Sequence, residues 1–247
     1  MNSTLHVWPQ KHTYHDGWVH VDGVIEYPNG HRFVLRYSVL EQWANLVPAF
    51  ADAFAIASVF EAMQNGLSLV IHGEVSSGLL RNLETFQSVW QCWAPDLYRQ
   101  VDISAESEKL RDSAGRDAIA LFSGGADACF LLYRHVRNNA GRNTRTVRRC
   151  VFVHGFDIPL ERVDHFDRAF NRAETITKSV GVPLIPLRSN YRALKSNWRH
   201  SHGAALASCL TFAGESATKG LMASGNKGYK MIQPWGSTPL TDPLSLQ

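Results

Sequence analysis

Residues 119–128 read Ile119-Ala120-Leu121-Phe122-Ser123-Gly124-Gly125-Ala126-Asp127-Ala128. An apolar run ends in Ser-Gly-Gly, and an amphipathic segment, residues 129–136, follows at once. That order predicts a buried strand, a tight glycine turn and a helix start. Backbone N–H groups in such a turn face one concavity, and the helix N-terminus adds partial positive charge, so the turn suits a phosphate or pyrophosphate. Gly124 and Gly125 admit an anion where a Cβ would block it. Ser123 can donate its hydroxyl, and Asp127 can hold a magnesium ion or orient the phosphates.

Downstream, strand and helix alternate. Residues 150–154 read as a strand, and Val163, Phe166, Phe170, Ala173, Ile176 and Val180 mark a helix face. A strand at 183–186, a helix over 203–213 and a short strand at 221–224 complete the series. This alternation builds an α/β fold with a doubly wound parallel sheet. Ligands of such sheets lie beyond the carboxyl ends of the strands, at the topological switch point, and the Ser-Gly-Gly turn occupies that end of the first strand.

Upstream, residues 1–110 read as a smaller α+β domain. Residues 18–27 and 32–37 are β-rich, with Pro28-Asn29-Gly30 as the turn between them. Residues 39–63 read as helix, interrupted or restarted near Pro48. Residues 67–72 read as a strand. Leu79, Leu83, Phe86, Trp90 and Trp93 recur at helical spacing, an apolar stripe that suits packing on the hairpin sheet better than a partner's surface. Residues 103–117 are polar and charged without a clear β pattern, and the domain linker is expected there, exposed to mild proteolysis. The second domain is then 113–247.

The Ser123–Asp127 element resembles the Ser-Gly-Gly-X-Asp-Ser loop of the PP-loop ATP pyrophosphatase superfamily, the group of GMP synthetase, NAD synthetase, asparagine synthetase and 7-cyano-7-deazaguanine synthase. The resemblance covers roughly the C-terminal 130 residues and implies a Rossmann-like sheet of PP-loop type, with ATP and Mg2+ as cofactors. Ala128 stands where the family usually has a second serine, so one hydroxyl donor to the pyrophosphate is expected to be missing. The deazaguanine-synthase-like branch usually continues into a segment of clustered cysteines, and against that pattern the sequence reads either as shortened or as a member of a branch that does without the segment.

The resemblance also implies that the end of the second strand borders the adenine and ribose. There Gly155 would allow close backbone approach, Phe156 would pack on the base and Asp157 would bond the ribose or fix the loop. At the end of the third strand Arg192 or Arg188 can grip a phosphate or carboxylate in a bidentate manner. His202, at a helix start, can donate to an anion but reads first as structural, and His-x-His without further ligands is a weak metal signal. The segment Pro234-Trp235-Gly236-Ser237 and beyond resembles the family's substrate-side loops. Before it, Lys227 and Lys230 are candidates to steady a developing pyrophosphate charge.

Composition sets bounds. The chain has 247 residues, 45% of them hydrophobic, with a net charge of +3, enough apolar content for a packed core and too little charge to call for nucleic acid. The basic run Arg137, Arg142, Arg145, Arg148, Arg149 lacks interleaved aromatics and reads as a solvated loop, although some PP-loop enzymes modify tRNA. Four scattered cysteines read as reduced thiols of a cytoplasmic protein. Neither a signal peptide nor a membrane span is expected.

The function expected from the resemblance is that of an ATP-dependent ligase-like enzyme. It would adenylate an oxygen of a small carboxylate or amide substrate, release pyrophosphate and pass the activated group to an amine or ammonia. Asp127, Arg192 and Lys227 are the catalytic candidates, Ser123, Gly124, Gly125, Asp127, Gly155, Phe156 and Asp157 the nucleotide-binding ones, and Asp127 the metal ligand. A catalytically degenerate nucleotide-binding or interaction protein is the alternative, and a tRNA-modifying protein a weaker one. A homo-oligomer is compatible with either.

Overall fold

The computed structural model describes residues 3–110, 115–194, 196–215, 217–223 and 232–245. The chain order is β1 (Thr4–Pro9), β2 (Thr13–His15), β3 (Trp18–Glu26), β4 (Arg32–Leu40), α1 (Asp52–Asn65), β5 (Ser68–Ser76), α2 (Ser77–Trp93), β6 (Ile103–Lys109), β7 (Asp117–Leu121), α3 (Ala126–Val136), β8 (Thr146–His154), α4 (Val163–Ser179), β9 (Leu184–Ser189), α5 (Trp198–Phe212), β10 (Lys219–Leu221) and α6 (Asp242–Ser245). The ten strands form one mixed sheet in the order β10-β7-β8-β9-β4-β3-β1-β5-β6, with β2 against β3. The α/β class expected from the sequence is therefore present.

Within the C-terminal part the four strands β10, β7, β8 and β9 are mutually parallel. β7 lies between β8 and β10, so the chain winds one way from β7 and later returns to its other side. The carboxyl end of β7 is thus a switch point, where the outgoing connections diverge and leave a crevice.

Alternation along these strands explains the two layers of helices. Ile119, Leu121, Val151 and Ile185 share a core with Ala204, Ala205 and Leu210 of α5. Ala120, Phe122, Cys150 and Phe152 point the other way, onto Ala128 and Leu132 of α3 and Phe166 and Ala173 of α4. Strands buried on both faces read as continuous apolar runs, as β7 and β8 do.

The N-terminal part joins the same sheet. β4 pairs antiparallel with β9, setting Tyr37 opposite Ser189 and Val39 opposite Leu187. α1 and α2 lie on the face that α5 covers, and one core runs from Leu5 through Phe60 and Trp90 to Leu210. The stripe Leu79, Leu83, Phe86 and Trp90 is buried there, with Phe60 and Trp90 edge to face at 4.9 Å. On the opposite face of β1, β3 and β4, Trp8, Val34 and Arg36 are exposed.

Residues 103–117 correct the expected linker. β6 fills Ile103–Lys109, pairing parallel with β5, and β7 begins at Asp117. Ile103 and Ala105 pack on the core while Ser104, Glu106, Glu108 and Lys109 are exposed. Charge on an outer strand discourages edge-to-edge pairing and also hides the strand in the sequence. Of residues 39–63, the restart near Pro48 and the helix that follows are present, and the part before Pro48 is corrected. β4 runs to Leu40, a 3-10 turn spans Glu41–Leu46, and the helix starts afresh after Pro48, at Asp52. Among the described residues no helix is long and apolar enough to cross a membrane, and the four cysteines are unpaired.

Candidate functional site

The turn after β7 is built as its residues dictate. Phe122 continues the ladder, its N–H donating to the Val151 carbonyl at 2.9 Å. Gly124 then takes φ +77°, the left-handed region that a glycine enters without penalty. Gly125 caps α3, and its N–H donates to Ser123 Oγ at 3.3 Å. No side chain caps α3. The first-turn N–H groups of a helix have no intrahelical partner, so this end is available to an anion.

Beside this turn, across the ends of β7 and β8, lies a cavity of about 670 Å³. Ser123 and Phe122 form one wall, Phe156, Asp157 and Ile158 a second, and Trp198, Arg199 and His202 of α5 a third, with Trp235 over them. The aromatic rings form a chain. Phe156 meets Trp198 edge-on at 5.2 Å, and His202 meets Trp235 edge-on at 5.1 Å. Arg199 reaches over Trp235 at 5.5 Å. Trp235 is held there because its neighbour Gly236 lies directly on α5. The Gly236 N–H donates to the Arg199 carbonyl at 2.9 Å, and a Cβ on Gly203 would overlap the Gly236 carbonyl oxygen.

His202 is the titratable group facing this cavity whose state is set most clearly. Nδ1 donates to the Trp198 carbonyl at 3.1 Å. Burial lowers its pKa, against smaller upward pulls from backbone hydrogen bonds and Asp157. The imidazole is therefore neutral at pH 7, with its proton on Nδ1 and Nε2 left as an acceptor.

The expected site residues divide into groups. Ser123, Phe156 and Asp157 come together around the one cavity, with Gly124 and Gly125 in its turn. Asp127 is exposed and borders a separate depression of about 240 Å³ between α3 and the end of β10, with Arg134, His135 and Met222. Gly155 is not exposed to a ligand. It is buried with φ +108°, and a Cβ there would overlap the Ser189 carbonyl oxygen, so its smallness serves the close approach of the chain leaving β8 to the end of β9. Arg192 is exposed in the turn Tyr191–Leu194, and its guanidinium stacks on Trp198 at 4.3 Å. Lys227 and Lys230 lie outside the described residues. Ala128 is buried against Phe122 and Leu132, so its Cβ faces the core and not the concavity.

Trp198 and Arg199 were not among the expected ligands, and Trp235 was expected only as part of a substrate-side loop. Their signal was an aromatic residue at a helix start and the Pro-Trp-Gly of a loop, neither of which says that two segments 37 positions apart close over one cavity. A magnesium ion finds limited support: among the described residues no three His, Cys, Asp or Glu side chains converge on a cation site. A nucleotide-bound cation needs only one or two carboxylates, its other ligands being phosphate oxygens and water. No family model, curated protein or solved structure matches the chain, so the reading rests on this geometry.

Proposed function

We propose that the chain binds ATP at the end of β7, in a sheet half of Rossmann-like PP-loop type, and works as an ATP-dependent ligase-like enzyme. The polyphosphate would sit on the 123–127 turn and the base among Phe156, Trp198 and Trp235. The observation that carries this reading is a single one: an uncapped helix start behind a Ser-Gly-Gly turn opens, at the switch point, onto a cavity walled by aromatic rings. Flat rings suit a flat base, and the turn suits an anion.

In the reaction a substrate oxygen, from a carboxylate or amide, would attack the α-phosphorus. Pyrophosphate would leave, and an amine or ammonia would then displace AMP. The N–H groups of the turn and Arg199 would stabilise charge growing on the phosphates. Neutral His202 would accept the proton lost by the incoming amine, through Nε2. Asp127 or Asp157 would hold Mg2+ together with phosphate oxygens and water, and the ion would offset charge on the leaving pyrophosphate. The unpaired cysteines suit a cytoplasmic setting.

A second reading, a nucleotide-binding protein without turnover, is favoured by the position of Asp127 outside the cavity. Calorimetry with ATP, AMP and pyrophosphate, followed by pyrophosphate exchange into ATP with a panel of carboxylic acids, separates the two. Binding with exchange supports the ligase, binding without exchange supports the second reading, and absence of binding rejects both. Gly124→Val should lose ATP binding while keeping its fold, because a β-branched residue resists φ +77°.

A further inference from the structure

A second cavity, of about 580 Å³, lies between one face of β3 and β4, the segment after β8 and the end of β9. The segment after β8 serves both cavities, with Asp157 and Ile158 in the first and Leu160 and Val163 in the second.

Its charges are unequally satisfied. Arg36 is held by Asp22 in a two-pronged pair, Nε to Oδ1 and Nη2 to Oδ2, both at 2.7 Å. That guanidinium is neutralised where it stands. Arg188 is different. Its guanidinium lies flat on the Trp18 ring at 3.8 Å, and its buried Nε has no hydrogen-bond partner among the described residues. Burial pulls its pKa down, and the charge of Asp167 pulls it back. An arginine stays charged under such conditions, so the cavity is lined by a guanidinium cation with no ion-pair partner among the described residues. His20 adds no charge at pH 7, because burial and Arg36 lower its pKa; its Nδ1 is engaged with Ser38 Oγ at 2.7 Å.

We propose that this cavity binds an organic monocarboxylate, with the carboxylate on Arg188 and an apolar body against Val34, Leu160 and Val163. Four observations meet in that assignment. With Arg36 paired to Asp22, Arg188 is the cavity-lining cation without an ion pair among the described residues, a single charge that one carboxylate matches better than a dianionic phosphate. The guanidinium fork matches a planar carboxylate, and stacking on Trp18 fixes its plane in advance. Val34 and Val163 are 42% exposed beside it, apolar surface that a ligand would cover. The frame is rigid, since Asn190 ties the end of β9 to β4 by accepting from the Arg36 N–H and donating to the Val34 carbonyl, both at 2.8 Å. This site does not depend on the nucleotide reading, as no residue is shared between the two cavities.

The probe is 4-fluorophenylacetate, followed by fluorine NMR on the full chain without nucleotide. The expected result is saturable binding that 4-fluorophenylacetamide does not show. Arg188→Leu should weaken it by about tenfold or more, about 1.4 kcal/mol. Arg32→Leu, which removes an arginine paired with Glu26 outside the cavity, should leave it unchanged. Trp18→Leu, in which Arg188 keeps its charge but loses its platform, should weaken binding partially. Circular dichroism of each variant confirms the fold. The proposal is overturned if the acid fails to saturate, if the amide binds equally well, if Arg32→Leu costs as much as Arg188→Leu, or if inorganic phosphate displaces the probe at lower concentration than acetate does.

Discussion

Gly155 and Ser189 lie so close that a Cβ on the glycine would overlap the serine's carbonyl oxygen. The contact stands where the segment after β8 leaves the sheet, and that segment contributes residues to both cavities. Gly155→Ala meets two obstacles at once, a backbone neighbour that cannot rotate away and φ +108°, which alanine rarely adopts. Overpacking and backbone strain each cost about 1–3 kcal/mol, so a total of about 3 kcal/mol or more is expected. A denaturant titration reads it as a lowered midpoint with unchanged slope. A loss below about 1 kcal/mol would mean that β8 and β9 can part here without harm.

The same glycine shows where sequence reading stops. A glycine at the end of a strand signals close approach, but not what approaches. A nucleotide and the Ser189 carbonyl leave the same mark. The β7–turn–α3 unit was legible because its signals are local, an apolar run, Ser-Gly-Gly and an amphipathic helix. β6 was not, because an edge strand with alternating Ser and Glu looks like a linker. The side on which Ala128 and Asp127 stand was not legible, because orientation around the first helical turn depends on how α3 docks. That docking places Ala128 under Phe122 and turns Asp127 outward. Trp235 joins the cavity through its loop's contact with α5, a long-range fact with no local signature.

Tyr37 on β4 donates its hydroxyl to Ser208 Oγ on α5 at 2.8 Å, and its ring stacks on Phe212 at 4.9 Å. These contacts tie residues of the first 110 to the helix that borders the candidate site. Tyr37→Phe removes the hydroxyl and leaves Ser208 its bond to the Ala205 carbonyl, so the cost should be about 1 kcal/mol, at most about 2. The shared sheet and core further predict one cooperative transition, with fluorescence and circular dichroism coincident. A protease nick within residues 111–114 should leave the two pieces bound. Two separated transitions would show that the β4–β9 seam contributes little.

Two kinds of group give stability opposite slopes with pH. Asp242 is buried, accepting from Ser237 Oγ at 2.9 Å and the Thr238 N–H at 3.0 Å. Burial outweighs these bonds and raises its pKa from 3.8 to about 6. The folded chain then holds this proton more tightly than the unfolded one, so its contribution is greatest below about pH 4 and is lost as pH rises through 6. His154 and His200 run the other way. Burial holds both below 6.5, and their contribution is lost as pH falls below that value. Asp242→Asn keeps an acceptor for Thr238 and removes the carboxylate. It should be more stable than the parent at pH 8, by at most about 3 kcal/mol for a shift of about two units, and level with it near pH 4. Thermal melts across that range test this, and a variant less stable at pH 8 would refute the raised pKa.

Ala128→Ser tests the orientation of the turn most directly. A serine facing the concavity would give a bound phosphate one more donor, and a hydrogen bond to a charged group is worth about 1.5–3 kcal/mol. Ala128, however, is 5% exposed and packs with Ala120, Phe122 and Leu132. A hydroxyl placed there turns back to a carbonyl of the preceding turn, as serine does inside helices. It gains nothing from the anion. The expected outcome is a stability loss of about 1 kcal/mol, from burying a hydroxyl with one imperfect partner, and ATP affinity within about twofold of the parent, well under the tenfold that 1.4 kcal/mol represents. Calorimetry with ATP and a denaturant titration on the same preparation read both quantities. A tenfold gain in affinity would mean that α3 is rotated by most of a residue step from the orientation described, bringing Ala128 to the phosphates and carrying Asp127 further from them.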